Sequence, residues 1–322
     1  MIVSSPIYLE HLTGLGHPER PERCKAIVST LQKNQLMTKQ NTLVPREATD
    51  EEILLCHSER YLKIVKQECE QIKVQGLPDD GSVMLLTGDV QICSKSIQVA
   101  RYAVGGALVG IDALMKEVAK TVFCSIRPPG HHANSDIGMG FCLFNNAAIA
   151  ARYAQKVYGI KRVAIIDWDV HHGNGTQDIF EEDPSVFYFS THRFGHFYPG
   201  TGSEEETGIK AGKGTILNCP IRLEDGSPRE AILKAFKNKL IPVMDQFQPG
   251  LVILSAGFDA HENDPLGGFD LTDQDFVELT QIVKGIAQKH AKGRILSVLE
   301  GGYDLEGLAS AVSAHVAILK HC

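Results

Sequence analysis

The chain has little that would commit it to nucleic acid, to a bilayer or to a disulfide framework. Acidic residues outnumber basic ones, 39 to 32 in 322 residues, for a formal charge of −7, so no basic face awaits a phosphate backbone. The mild acidity is compatible with a cationic substrate and equally with an ordinary solvated surface. No apolar stretch approaches the roughly 20 residues that cross a membrane. The start, Met-Ile-Val-Ser-Ser-Pro, lacks the basic residues and long apolar run of a secretory signal. The eight cysteines (Cys24, Cys56, Cys69, Cys93, Cys124, Cys142, Cys219, Cys322) show no paired C-x-x-C spacing, which argues against a thiolate metal site or a set of disulfides. Several lie in apolar runs and read as reduced core thiols, so a cytoplasmic protein is expected. There is no internal repeat, no low-complexity tract and no Pro/Gly/Ser linker long enough to divide the chain, so one domain over 1–322 is expected.

Hydrophobic residues make up 43% of the chain and charged residues 22%, enough for a large core under a soluble surface. Short β-branched runs recur at Thr121–Ile126, Val163–Ile166, Val186–Ser190, Leu251–Ser255 and Ile295–Leu299. They are apolar on both faces, as parallel strands covered by helices are. Helix-like segments fall at 59–74, 94–118, 144–158, 228–247, 273–291 and 304–320. The fifth has Thr272 as N-cap with Asp275 three residues on. The alternation predicts an α/β fold, a single three-layer domain with a mostly parallel central sheet and helices on both faces. Long irregular stretches at 127–143, 192–215 and 257–272 each follow a strand, so they can gather at one rim, where loops of this length are commonly functional.

The most informative residues are Asp167-Trp-Asp-Val-His-His172, directly after the run Arg162–Ile166. Strand alternation turns Asp167, Asp169 and His171 one way and Trp168 and Val170 the other. Two carboxylates and an imidazole then converge where unpaired charge is costly, and a divalent metal stabilises that arrangement most simply. Gly173-Asn174-Gly175 reads as a tight turn, which puts the cluster at the carboxyl end of the strand, the usual ligand edge of an open α/β sheet. Three more polar groups follow predicted strands: Arg127-Pro-Pro-Gly-His-His-Ala133, Ser255-Ala-Gly-Phe-Asp-Ala-His261 and Glu300-Gly-Gly-Tyr303. Singly, each reads as a turn or a cap. Four at the ends of four strands read as a site.

Asp169, His171 and Asp259 make a two-carboxylate, one-imidazole set suited to Zn²⁺ with a position open for water, the pattern of a catalytic zinc. Such an ion lowers the pKa of its water to about 7. His131 and His132 can serve as base and acid, and the Tyr303 phenol can polarise a carbonyl and hold the developing oxyanion. The parts specify metal-assisted hydrolysis of an amide or similar bond.

These residues resemble the histone deacetylase family of the arginase/deacetylase superfamily. The resemblance runs nearly end to end, through Gly16–Arg23, Arg127–Ala133, Gly138–Cys142, Asp167–Gln177, Tyr198–Gly202, Ser255–His261 and Glu300–Tyr303. The proline-rich start and His172–Gln177 are more similar to the class II and bacterial deacetylase-like branch than to class I. The resemblance implies Zn²⁺ on Asp169, His171 and Asp259, catalytic roles for His131, His132 and Tyr303, and support from Asp167 behind the first histidine. Asn174 stands where class I members have aspartate, which implies a less readily protonated His132 as principal base–acid and an electrostatic role for His131. Phe141 and Tyr198, with Gly140 beside them, match the aromatic walls of an acyl-lysine tunnel, Tyr198 adding a hydroxyl to the commoner Phe. Asp89 lies near a family aspartate that binds substrate backbone. Asp167, Asp169, His171, Ser190 and Thr191 match a monovalent cation site, implying K⁺.

Substrate choice turns on Leu266. Polyamine-specific relatives carry a glutamate after Asp-Pro, whereas Asp264-Pro265 here precedes leucine, which favours acyl-lysine of a protein or peptide over a polyamine. The expected activity is therefore removal of acetyl or another short acyl group from lysine. Deacetylation of small amines such as acetylpolyamines is the alternative, and a non-catalytic acyl-lysine-binding module is the alternative of another class. A dinuclear manganese, arginase-like site would need more aspartates and histidines than these motifs offer.

Overall fold

The apolar runs become strands because their alternate residues each have a core to enter. In Val163–Asp167, Val163 and Ile165 pack into one cluster and Ala164 and Ile166 into the other, all of them buried; each fully buried Val or Ile is worth about 1.5–3 kcal/mol. The computed structural model describes residues 1–76 and 82–320. In chain order its elements are β1 (Ile2–Val3), α1 (Glu22–Lys33), β2 (Thr42–Leu43), α2 (Asp50–Ile53), α3 (Glu59–Val74), β3 (Val83–Met84), β4 (Gln91–Ile92), α4 (Ser96–Met115), β5 (Thr121–Cys124) and α5 (Asn146–Tyr158). Then come β6 (Val163–Asp167), α6 (Asn174–Phe180), β7 (Val186–Arg193), β8 (Ile216–Ile221), α7 (Pro228–Ala235), α8 (Ile241–Phe247), β9 (Leu251–Ala256), α9 (Asp273–His290), β10 (Ile295–Leu299) and α10 (Leu305–Lys320).

Eight strands form one parallel sheet in the order β2-β1-β5-β10-β9-β6-β7-β8, and β3 and β4 make a separate antiparallel pair. The core on one face draws on α3, α4 and α5, and that on the other on α1, α7, α8, α9 and α10. This is the expected three-layer α/β architecture. All strands of a parallel sheet end at one edge, so the segments leaving β5, β6, β7, β9 and β10 share a rim.

Several expectations need correction. The strand before the acidic cluster stops at Asp167, so Asp169 and His171 lie beyond it; the alternation nonetheless carries on, because Trp168 and Val170 stay in the core. Gly173-Asn174-Gly175 is not a tight turn but the start of α6, with Gly173 as N-cap. The segment 228–247 is two helices joined by a π turn over Phe236–Leu240; Pro242 has no N–H to continue the regular ladder. By length and composition α4 could cross a membrane, but 67% of its most apolar window is buried within the fold, where it serves as a core helix. The fifth helix starts as expected, with the Thr272 N–H donating to the Asp275 carboxylate at 2.8 Å. Seven cysteines are buried and unpaired; Cys322 lies outside the described residues.

Candidate active site

The ends of β6 and β9 bring Asp169, His171 and Asp259 together, with one donor atom from each lying within 4.8 Å of the others. Backbone amides hold both carboxylates: Gly301 N–H donates to Asp169 Oδ2 at 2.8 Å, His171 N–H to Asp169 Oδ1 at 2.9 Å and Val170 N–H to Asp259 Oδ1 at 2.9 Å. Asp169 Oδ1 and Asp259 Oδ2 both lie 3.1 Å from His171 Nδ1. The His171 ring is held by stacking on Phe197, with centroids 4.9 Å apart and planes within 9°. Gly257 and Gly301 let backbone form the walls of this cradle; a Cβ on the first would come 2.1 Å from Asp169 Oδ2, and on the second 2.1 Å from Asp259 Oδ2.

Burial and charge compete in this cradle. Burial and the neighbouring Asp169 push the Asp259 carboxyl up to about 7. Burial works against a charged His171, yet hydrogen bonds and charge from Asp169 and Asp259 outweigh it and raise the imidazole to about 9. Two buried carboxylates and an imidazole aimed at one point, each steered by a backbone amide or a stacked ring, fit a divalent cation.

Beside the cradle, the loop after β5 presents His131 and His132 with ring centroids 4.0 Å apart. Their partners differ. His131 Nδ1 lies 3.0 Å from Asp167 Oδ2, an oxygen that also accepts from the Tyr188 hydroxyl at 3.0 Å. His132 Nδ1 lies 2.8 Å from the Asn174 amide oxygen. Burial alone would lower both imidazoles. For His131 the carboxylates of Asp169 and Asp167, with Glu300 behind them, overcome burial and raise the pKa to about 10. For His132 burial is reinforced by the nearby His131 and His171 charges, and neutral Asn174 gives little in return, so the pKa falls well below the ordinary imidazole value. The two adjacent histidines are thus biased in opposite directions, His131 toward the cationic form and His132 toward the neutral one.

Tyr303, 8% exposed, closes the opposite side. Its N–H donates to Asp264 Oδ2 at 2.7 Å, and the Arg23 guanidinium sits 5.0 Å from its ring centroid. Burial raises its phenol well above the usual value, so it stays protonated and available as a donor. Phe141 lies edge-on to Tyr303 at 5.9 Å and Tyr198 edge-on to His132 at 5.2 Å, which makes the two aromatics walls of the approach. Gly140 passes so close to His132 that a Cβ would stand 2.2 Å from its Cδ2. Asp89 Oδ1 accepts from Gly140 N–H at 2.7 Å and from the Tyr198 hydroxyl at 3.4 Å, tying both walls at the mouth. Leu266 is partly exposed, its N–H donating to Asp264 Oδ1 at 2.9 Å. Ser190 is paired across β6 and β7 with Asp167, and its hydroxyl meets His192 Nδ1 at 2.8 Å. The Thr191 hydroxyl is buried without a hydrogen-bond partner.

Sequence reasoning overlooked the ionic underpinning of this site. Arg127 binds Glu19 with two nitrogens, Arg23 Nη1 meets Glu19 Oε1 at 3.1 Å, and Arg23 also donates to the carbonyls of Glu300 and, at 2.6 Å, Gly302. All three charged side chains are fully buried. Arg127 leads the two histidines and Gly302 precedes Tyr303, so the cluster anchors the loops that carry the paired histidines and the tyrosine. The density of charge in His17-Pro-Glu-Arg-Pro-Glu-Arg23 was the available signal, but a charged run ordinarily marks a solvated face.

Comparison with known proteins follows the same outline. A model of the histone deacetylase domain matches residues 17–319. Histone deacetylase 14, chloroplastic, of Arabidopsis thaliana is 39% identical over 92% of this chain and 71% of its own. The polyamine deacetylase HDAC10 of Danio rerio is 39% identical over 91% of this chain and 43% of its own, and histone deacetylase 6 of Caenorhabditis elegans 38% identical over 95% and 32%. The chain thus spans about a third of the nematode protein and less than half of the fish one. The crystal structure of the HDA15 HD domain superposes with a TM-score of 0.90 at 35% identity, covering 99% of this chain and 88% of that one. The matched region contains every strand-end loop that builds the cradle, the paired histidines and the tyrosine, and on that ground the chain belongs to the histone deacetylase family.

Proposed function

We propose that residues 1–322 form a single zinc-dependent amidohydrolase domain that removes acetyl or other short acyl groups from lysine side chains of proteins or peptides. The observation that carries this reading is the Asp169–His171–Asp259 cradle with two histidines beside it that have different partners, His131 Nδ1 at 3.0 Å from the Asp167 carboxylate and His132 Nδ1 at 2.8 Å from the Asn174 amide oxygen. Zinc held by those three side chains would supply Lewis acidity toward water and the acyl carbonyl. His132, neutral and with Nδ1 tied to Asn174, offers Nε2 to take the proton from the attacking water. His131, kept protonated by Asp167, stabilises the negative charge that develops. The Tyr303 phenol donates to the carbonyl oxygen as it becomes an oxyanion, a contribution worth about 3–4 kcal/mol for one such donor. When the C–N bond breaks, the proton taken by His132 passes to the departing lysine nitrogen, leaving free amine and carboxylate.

Asp167, Asp169, His171, Ser190 and Thr191 are proposed to hold K⁺ beneath this site; the buried, unpartnered Thr191 hydroxyl supports an unfilled polar requirement there. Gly140, Phe141, Tyr198, Leu266 and Asp89 are proposed to receive the acyl-lysine. The protein is proposed to act in the cytoplasm on acylated substrates, with no direct binding of nucleic acid or membrane.

Acetylpolyamine hydrolysis is the second reading, favoured by the 39% identity to a relative named as a polyamine deacetylase. Leu266 weighs against it, because a leucine side chain cannot pair with a polyamine ammonium. The test is a comparison of kcat/KM on peptides bearing acyl-lysines of increasing length with kcat/KM on acetylpolyamines. Preference for an acyl-lysine peptide is expected; preference for the polyamines transfers the assignment to the second reading.

A further inference from the structure

Glu300 takes no step in the reaction above and adds less to the charge around His131 than Asp169 or Asp167 does, yet its carboxylate is fully buried. Removing a carboxylate from water costs several kcal/mol unless its oxygens find partners, and among the described residues no Arg or Lys side chain pairs with it; Arg23 binds only its backbone carbonyl. The partners it does have are specific. Oε2 accepts two consecutive backbone amides, Gly130 N–H at 2.7 Å and His131 N–H at 3.1 Å, and Oε1 accepts the Ser255 hydroxyl at 3.0 Å.

Those partners belong to the two strands that flank β10. Glu300 directly follows β10, Ser255 lies near the end of β9 on one side, and Gly130–His131 lie in the loop from β5 on the other. The chain of contacts then continues: His131 Nδ1 meets Asp167 at the end of β6, and Asp167 is in register with Ser255 across β6 and β9. Four strand ends are joined in a closed circuit in which the Glu300 side chain is the longest member.

We propose that Glu300 is a positioning residue whose side chain, by bridging Ser255 and the Gly130–His131 amides, sets where the His131 imidazole stands relative to Asp167 and the metal cradle. The circuit needs the length and acceptor geometry of this side chain and not its charge. An oxygen facing the two amides suffices on one side, and on the other a serine hydroxyl can accept as readily as donate. A displacement of His131 by about 1 Å costs on the order of a hundredfold in rate.

This inference rests on the deacylation reading, so both are tested with an acetyl-lysine peptide on the zinc-loaded protein, residues 1–322. Absence of wild-type turnover on acyl-lysine and acylamine substrates alike fails that reading itself; with wild-type turnover in hand, the variants test Glu300. Glu300→Gln retains length and acceptor and loses charge; Glu300→Asp retains charge and loses one methylene. Expected are kcat within about threefold of wild type for Glu300→Gln and at least about tenfold lower for Glu300→Asp, with KM within about twofold and metal content unchanged in both. A purely electrostatic role for Glu300 predicts the opposite ranking. That ranking, or wild-type kcat in Glu300→Asp, overturns the proposal.

Discussion

His132 Nδ1 stands 2.8 Å from the amide oxygen of Asn174, so the imidazole is oriented by a neutral group whereas its neighbour is oriented by a carboxylate. That difference adds to burial and to the neighbouring His131 and His171 charges, which together favour the unprotonated form of His132. Installing a carboxylate should erase the asymmetry. In Asn174→Asp, the added charge raises the His132 pKa, and since the base must be unprotonated, the acidic limb of the kcat/KM profile should move to higher pH by about one unit or more. A pH–rate profile measures it; an acidic limb that stays in place shows that His132 is not the base.

The cradle predicts metal dependence. Wild-type protein should carry about one zinc per chain, and Asp259→Ala should lose most of it, along with activity and the stabilisation a bound ion gives the folded state. Elemental analysis and thermal unfolding with and without chelator read both quantities. Full zinc content in Asp259→Ala removes Asp259 from the ligand set.

Tyr303 is held by Asp264 and Arg23 and kept protonated by burial, so its hydroxyl is poised as a donor without contributing to the cradle. Tyr303→Phe should retain zinc and lose kcat by about a hundredfold or more. Equal turnover in the two proteins rules out the oxyanion role.

Acid stability should be governed by buried neutral imidazoles outside the cradle as well as by carboxylates. Burial lowers His57 to about 4 and His315 to about 3. Below about 6.5 the unfolded chain therefore binds protons that the folded protein refuses, and stability falls as the pH drops through the window from 6.5 toward 3, by up to about 1.4 kcal/mol per pH unit for each histidine. Glu19, which burial would raise but Arg127 and Arg23 hold down to about 2, adds a loss between about 4.5 and 2. The denaturant midpoint should fall from pH 6 to pH 5. The slope between pH 6 and 5 should be shallower in His315→Gln; a slope unchanged by that substitution contradicts the assignment.

The segments legible in the chain were those whose signal is local. Apolar runs at Thr121, Val163, Leu251 and Ile295 each carry enough hydrophobic surface to be read alone, and a polar motif after each marked the rim. The edge strand Thr42–Leu43 and its neighbour Ile2–Val3 are two residues long and exist only because neighbouring strands complete their hydrogen bonds. Helix α1 escaped notice because its first turn places Arg23, a charged residue, wholly inside the protein. α6 was obscured by the glycines on either side of Asn174, which suit a turn until the paired-histidine loop packs against them: a Cβ on Gly175 would stand 2.3 Å from the Ala133 carbonyl oxygen.

Residue chemistry alone determined that two aspartates and a histidine sit at a strand end, that tandem histidines and a tyrosine follow other strands, and that hydrolysis at a metal is what such groups do, because the strand period and the donor types are properties of the chain itself. The division of labour came only with the tertiary structure. Which oxygen of Asp169 or Asp259 faces inward depends on amides from Gly301 and Val170. The proton affinities of His131 and His132 depend on burial and on side chains up to 169 positions away. The reach of Glu300 depends on β10 lying between β5 and β9. Each is a contact between segments distant in sequence, and such a contact has no energy until folding brings its two halves together.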